Sequence, residues 1–147
     1  MNTLFQDQWD HPLFRYLSES ERQRLEGAAT VIELEDGQTI IREGERDSRL
    51  YAVEQGVLEI VAPGDRVIAA VGPGEVLGEV SFIDDSPRAA SVRAAAPSIL
   101  RAWEKRALLD ALGADPATLA RFSVALNQLL VERIRDTAKA GVVRSGS

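Results

Sequence analysis

Glu79 and Arg88 stand nine residues apart, with Gly78 ahead of the first and Pro87 and Ala89 on either side of the second. Those residue types suit one small ligand that carries a single negative charge and neighbouring hydroxyls. Arg is a fixed, always-charged donor whose planar fork matches two oxygens of an anion. A carboxylate repels that anion, but it accepts a hydrogen bond from a hydroxyl. Gly78 lets the backbone come close to the ligand. Ala89 has almost no side chain, so its N–H is open to an anionic oxygen. Pro87 stiffens the chain just before Arg88. The residues between Glu79 and Pro87 allow one turn of helix and a loop. The first turn of a helix offers further unpaired N–H groups and the positive end of its dipole.

A cyclic nucleotide has this combination of one phosphodiester charge and ribose hydroxyls. The segment Gly78-Glu79-Val80-Ser81-Phe82-Ile83-Asp84-Asp85-Ser86-Pro87-Arg88-Ala89-Ala90 closely resembles the phosphate-binding cassette of cyclic nucleotide-binding domains. Such domains occur in the regulatory subunits of cAMP-dependent protein kinase and in the catabolite activator proteins. The resemblance extends to glycine-marked turns in the same order: Gly37 to Glu45, Leu50 to Gly56, and Gly72-Pro73-Gly74-Glu75. It spans roughly residues 11–137. It implies that Glu79 holds the ribose 2′-hydroxyl and Arg88 the cyclic phosphate. Backbone contacts come from Gly78 and Ala89, with Val80 and Ala90 beside them in the site. Ala after the Arg leans towards cAMP as the ligand, with cGMP as the alternative. No other cofactor is implied.

The elements that must position these residues are legible from turn chemistry. Val31 to Glu35 alternates, with Ile32 and Leu34 on one face, as in a half-buried strand. Further strands are expected at 39–42, 50–54, 57–62, 66–71, 89–94 and 98–103, divided by turns such as Asp36-Gly37 and Pro63-Gly64-Asp65. Short strands at this spacing indicate a sandwich or barrel. Ser18-Glu19-Ser20-Glu21 is a capping box, which predicts a helix to about Gly27. Beyond Glu104 the pattern becomes helical, first over Lys105 to Leu112, then from Pro116 with Asp115 as N-cap. Leu119, Phe122, Leu126, Leu129, Leu130 and Ile134 step by three and four along that last helix. The expected fold is α+β, a jelly-roll β-sandwich with a short cassette helix, one helix before it and helices after it. Residues 1–10 read as an arm, 11–140 as the domain and 141–147 as a frayed tail.

Composition limits the function. The 147 residues suffice for one core, and a chain of this size buries about 68–70% of its unfolded surface. A net charge of −6 argues against a nucleic-acid partner. There is no cysteine, hence no disulfide and no thiolate chemistry. The N-terminus lacks a basic start and an apolar run, so no signal peptide or membrane anchor is expected and the cytoplasm is the expected compartment. His11 is the sole histidine and reads as a packing or surface residue. Trp9, Trp103 and Phe122 read as core or rim. Asp84-Asp85 and Glu43, Glu45 and Glu54 read as solvated. Arg133, Arg135 and Lys139, mixed with Glu132 and Asp136, read as a solvated helix face, although any lid that the last helix places over the nucleotide base must come from Leu126, Leu129, Leu130 or a basic side chain such as Arg133. No metal-ligand set or Ser-based triad marks an enzyme such as a phosphodiesterase. The transcription factors of the resembled family carry a helix-turn-helix after the last helix, and none is expected here.

The expected function is therefore a sensor. Nucleotide moves the C-terminal helices and alters contact with a protein effector, and a second copy of the same helix is one candidate partner. The alternative is a protein-interaction module of the same fold in which Glu79 and Arg88 only pair with each other.

Overall fold

The computed structural model describes residues 9–113 and 115–145, with side chains as far as Asp136. A 3-10 turn at Pro12–Phe14 leads to α1 (Glu19–Gly27). The strands follow as β1 (Thr30–Leu34), β2 (Thr39–Ile41), β3 (Leu50–Gln55), β4 (Leu58–Ala62), β5 (Arg66–Val71) and β6 (Val76–Leu77). The cassette helix α2 (Glu79–Asp84) precedes β7 (Ser91–Ala94) and β8 (Ser98–Trp103), and α3 (Lys105–Leu112) and α4 (Pro116–Ser145) close the chain. The strands form two antiparallel four-stranded sheets, ordered β1-β8-β3-β6 and β2-β7-β4-β5. The fold is the expected β-sandwich with helices.

Two cores share the middle strands. In β3 the four residues Leu50 to Val53 are all fully buried, because both faces of this strand are covered. Tyr51 and Val53 point between the sheets, with Leu34, Leu58, Val92 and Leu100. Leu50 and Ala52 point the other way, into a cluster with Leu25, Trp103, Leu108, Phe122, Leu126 and Leu129 from the helices. The period-two alternation of a strand thus divides one apolar run between two cores. Phe82 of α2 belongs to the helical cluster, so the cassette and α4 pack into one apolar body.

Local signals explain the helix ends. Ser18 Oγ accepts from Glu21 N at 3.2 Å and Glu21 Oε1 accepts from Ser18 N at 2.8 Å, completing the capping box. The Glu21 carboxylate also meets Arg121 Nη1 of α4 at 2.7 Å, and Thr118 Oγ1 donates to it at 2.7 Å. Hydrogen bonds from Arg121 hold the Glu21 carboxyl far below the usual carboxylate range. Asp115 Oδ1 accepts from Ala117 N at 3.0 Å and starts α4, with Pro116 at its first position.

The departures from expectation are local. The two-residue strand β6 is too short to show as a pattern. The helical backbone of α4 runs to Ser145, beyond the expected end near Lys139, so residues 141–145 are helical where a loose tail was expected. Residues 1–8 of the expected arm and 146–147 of the tail lie outside the described residues. The expected apolar stripe of α4 is also narrower than its spacing suggests. Phe122, Leu126 and Leu129 are buried, whereas Leu119 and Ile134 are 40% and 67% exposed. No helix among the described residues is long and apolar enough to cross a membrane.

Candidate functional site

Gly78 follows β6 and opens α2 with φ 77°, a left-handed conformation that favours glycine. A Cβ here would lie 2.5 Å from Arg88 Nη1 and 2.8 Å from the Arg49 carbonyl oxygen. The missing side chain is therefore what admits the Arg88 guanidinium. Arg88 arrives from the loop after α2, and its backbone is clamped to the β2–β3 connection. Arg88 N donates to Glu45 O at 2.9 Å, and Gly44 N donates to Arg88 O at 2.8 Å.

The Arg88 side chain is only 3% exposed. Nη1 donates to Gly78 O at 3.0 Å and Nη2 to Arg49 O at 2.8 Å. Asp47 Oδ2 is 3.4 Å from Nη2, and the guanidinium carbon sits 5.8 Å from the centre of the Tyr51 ring. The buried Nε has no hydrogen-bond partner among the described residues. Asp47 also accepts from Arg49 Nε at 3.2 Å and from the Tyr51 hydroxyl at 3.1 Å. Burial pushes the Asp47 carboxyl up, but the Arg49 hydrogen bonds and the Arg88 charge outweigh it and hold the group at about 2. Burial, then the Asp47 charge, push the Tyr51 phenol up to about 12.

Glu79, in the first turn of α2, is 9% exposed. It does not meet Arg88. Its Oε1 lies 2.6 Å from Nη1 of Arg133, which comes from α4, and Arg133 Nη2 donates to Val76 O. The Nε of Arg133 is likewise buried without a partner. Both arginines line one cavity of about 150 Å³, together with Glu79, Gly78, Val80, Ser81, Ala89 and Ala90. Its remaining walls are Ile41, Ile60, Leu77 and Val92.

A family model for the cyclic nucleotide-binding domain matches residues 31–115, more than half of the chain. The chain belongs to the cyclic nucleotide-binding domain family. It is 33% identical over 89 residues to a cAMP-dependent protein kinase regulatory subunit from Mycosarcoma maydis, a match covering 58% of this chain and 17% of the relative. This domain thus spans about a sixth of that curated relative. Among solved structures it resembles the catabolite activator protein of Thermus thermophilus, with TM-score 0.71 and 27% identity over 91% of this chain and 63% of that one. It also resembles a cyclic nucleotide-binding domain from Methylobacillus flagellatus, with TM-score 0.78 and 25% identity over 87% and 74% of the two chains.

All six residues singled out in the sequence of this cyclic nucleotide-binding domain, Gly78, Glu79, Val80, Arg88, Ala89 and Ala90, line the one cavity. Asp84 and Asp85 do not. Asp84 caps Ser86 N at 2.9 Å, and Asp85 lies 3.4 Å from Lys105 Nζ. His11 and Trp103 are packing residues, with Trp103 Nε1 donating to Leu25 O at 2.7 Å. Glu54, expected to be solvated, meets Arg101 Nε at 2.6 Å.

Arg133 corrects the reading of its stretch as a solvated face, and of the lid candidates it alone lines the cavity. Leu126 and Leu129 are buried in the helical core, and Leu130 packs against that core. The signal for Arg133 was available: it continues the inward spacing of Phe122, Leu126 and Leu129. Nothing comparable marks Asp47, which reaches Arg88 only through the path of the β2–β3 connection.

Proposed function

We propose that this domain reversibly binds a cyclic nucleotide, cAMP first among them and cGMP second, in the cavity between α2 and the β2–β7–β4 sheet. In this reading Arg88 holds the phosphate, Glu79 accepts from the ribose 2′-hydroxyl, and Ala89 and Ala90 leave their backbone open to phosphate oxygens. The observation that carries it is the Arg88 guanidinium, almost wholly buried against the cavity with its Nε unpartnered. An unpaired buried donor is costly, by about 1–3 kcal/mol, and an anionic oxygen relieves that cost.

The relay runs through α4. Arg133 ties that helix to the carboxylate assigned to the ribose, so a nucleotide that engages Glu79 alters what α4 is fixed to. A displaced or re-seated α4 then changes the surface shown to a protein effector. The same contact favours a second reading, an interaction module without nucleotide, because Glu79 already has a protein partner.

Thermal shift with cAMP, cGMP and a cyclic dinucleotide separates the two. A ligand at about a hundred times its Kd adds about 2.7 kcal/mol, which the binding reading predicts for cAMP and which Arg88→Leu should remove. No shift with any of the three leaves the second reading.

A further inference from the structure

Arg133 stands between two hollows. One is the cavity of about 150 Å³ that Arg88 and Glu79 line. The other, of about 310 Å³, adjoins it through Arg133 itself, and its walls include Pro73 and Glu75 of the turn before β6 with Glu132 and Asp136 of α4. The Arg133 guanidinium is now strapped across the first cavity. Nη1 donates to Glu79 Oε1 of α2 at 2.6 Å, and Nη2 donates to Val76 O of β6. Clefts that hold small ligands run from about 300 to 1,000 Å³, so the cavity at about 150 Å³ is too small for a nucleotide while the strap is in place. The strap is also imperfect. A buried ion pair recovers its desolvation cost only when its other donors are satisfied, and Arg133 Nε is buried with no partner among the described residues. Little stabilisation is lost when such a contact is exchanged.

We propose that Arg133 is a gate with two seats. Closed, it holds Glu79 and competes with the nucleotide for the carboxylate assigned to the ribose. Open, it withdraws into the adjoining hollow. There the Glu75 carboxylate is taken up by Gly72 N at 2.9 Å, while Glu132 and Asp136 are exposed. Asp136 lies three positions on along α4, within reach on the same helix face. The gate rests on the nucleotide reading and gives Arg133 the opposite sign from a lid. A side chain that covers a bound base adds affinity, whereas a gate lowers it by the fraction of molecules standing open.

Titration calorimetry of the whole chain with cAMP and with cGMP reads that sign. Arg133→Ala should bind about tenfold more tightly than the wild type, or about 1.4 kcal/mol. Ala is the best helix former, so α4 should stand. Arg133→Gln, which keeps the stem and drops the charge, should also gain affinity. Asp136→Asn removes the open seat and should weaken binding by roughly threefold, an effect that vanishes in the Arg133→Ala background. Equal or weaker binding by both Arg133 variants would overturn the gate and leave the nucleotide reading standing. An Asp136→Asn loss that persists without Arg133 would overturn the open seat, and the gate with it. No heat from any of these chains, the wild type included, would overturn the nucleotide reading itself.

Discussion

Arg88 is held mainly by two carbonyl oxygens, with its nearest carboxylate at 3.4 Å. Asp47 meets part of its charge, so a ligand anion would share the guanidinium with that carboxylate. Glu79 is instead paired across the cavity, so its contribution to binding is a difference between two partners. If Glu79 accepts from the ribose, Glu79→Ala should cost about 1–3 kcal/mol of nucleotide affinity. A 2′-deoxy nucleotide should cost the wild type the same amount and the variant little more. Additive losses in that double cycle would remove Glu79 from the hydroxyl. Gly78→Ala forces a Cβ against Arg88 and the Arg49 carbonyl in a left-handed backbone. It should lower stability by about 1–3 kcal/mol and weaken nucleotide binding with it, measured by denaturant unfolding and titration. These cassette residues were legible in the sequence because the ligand chemistry fixes their types and short spacing. Asp47 was not, since its approach to Arg88 depends on tertiary folding.

At the scale of elements, α2 and α4 are joined twice, through Phe82 in the helical core and through the Glu79–Arg133 pair. Nucleotide should therefore reduce hydrogen exchange in α4 as well as in residues 78–90. Arg133→Ala should weaken the change in α4, leaving what the Phe82 packing carries, and keep that in the cassette. Protection confined to the cassette in the wild type would contradict the relay. The strands β5 and β8 match expectation at both ends, because Pro-Gly-Asp and Gly-Pro-Gly turns bracket β5 and β8 lies between Pro97 and the helical start after Glu104. The two faces of α4 were read as one stripe because period and apolarity alone do not say which apolar positions meet the body. Leu119 and Ile134, which lie off the buried face, were grouped with it for that reason.

At the scale of the molecule, the N-terminal turn is stapled to the sandwich by His11, whose Nε2 lies 3.3 Å from Glu75 O while Nδ1 accepts from Leu13 N at 3.1 Å. Burial lowers its pKa from the ordinary 6.5 to about 4. The unfolded chain thus takes up a proton between these values while the folded chain does not. Stability is fully present above 6.5 and falls as pH drops towards 4, by up to about 3 kcal/mol. Denaturant unfolding at a series of pH values should show this loss, and His11→Gln should flatten that window. Asp47, held down at about 2, contributes stability above the ordinary carboxylate range that is lost only in stronger acid.

The central claim is that a cyclic nucleotide enters the cavity and meets Arg88. Titration calorimetry of the whole chain with cAMP, beside Arg88→Leu, tests it most directly. About 22 heavy atoms at about −0.3 kcal/mol each give roughly −7 kcal/mol, or binding in the low-to-ten-micromolar range. Arg88→Leu should lose about 2–5 kcal/mol of it. No heat from the wild type with millimolar cAMP or cGMP, or an unchanged affinity in Arg88→Leu, would contradict the account.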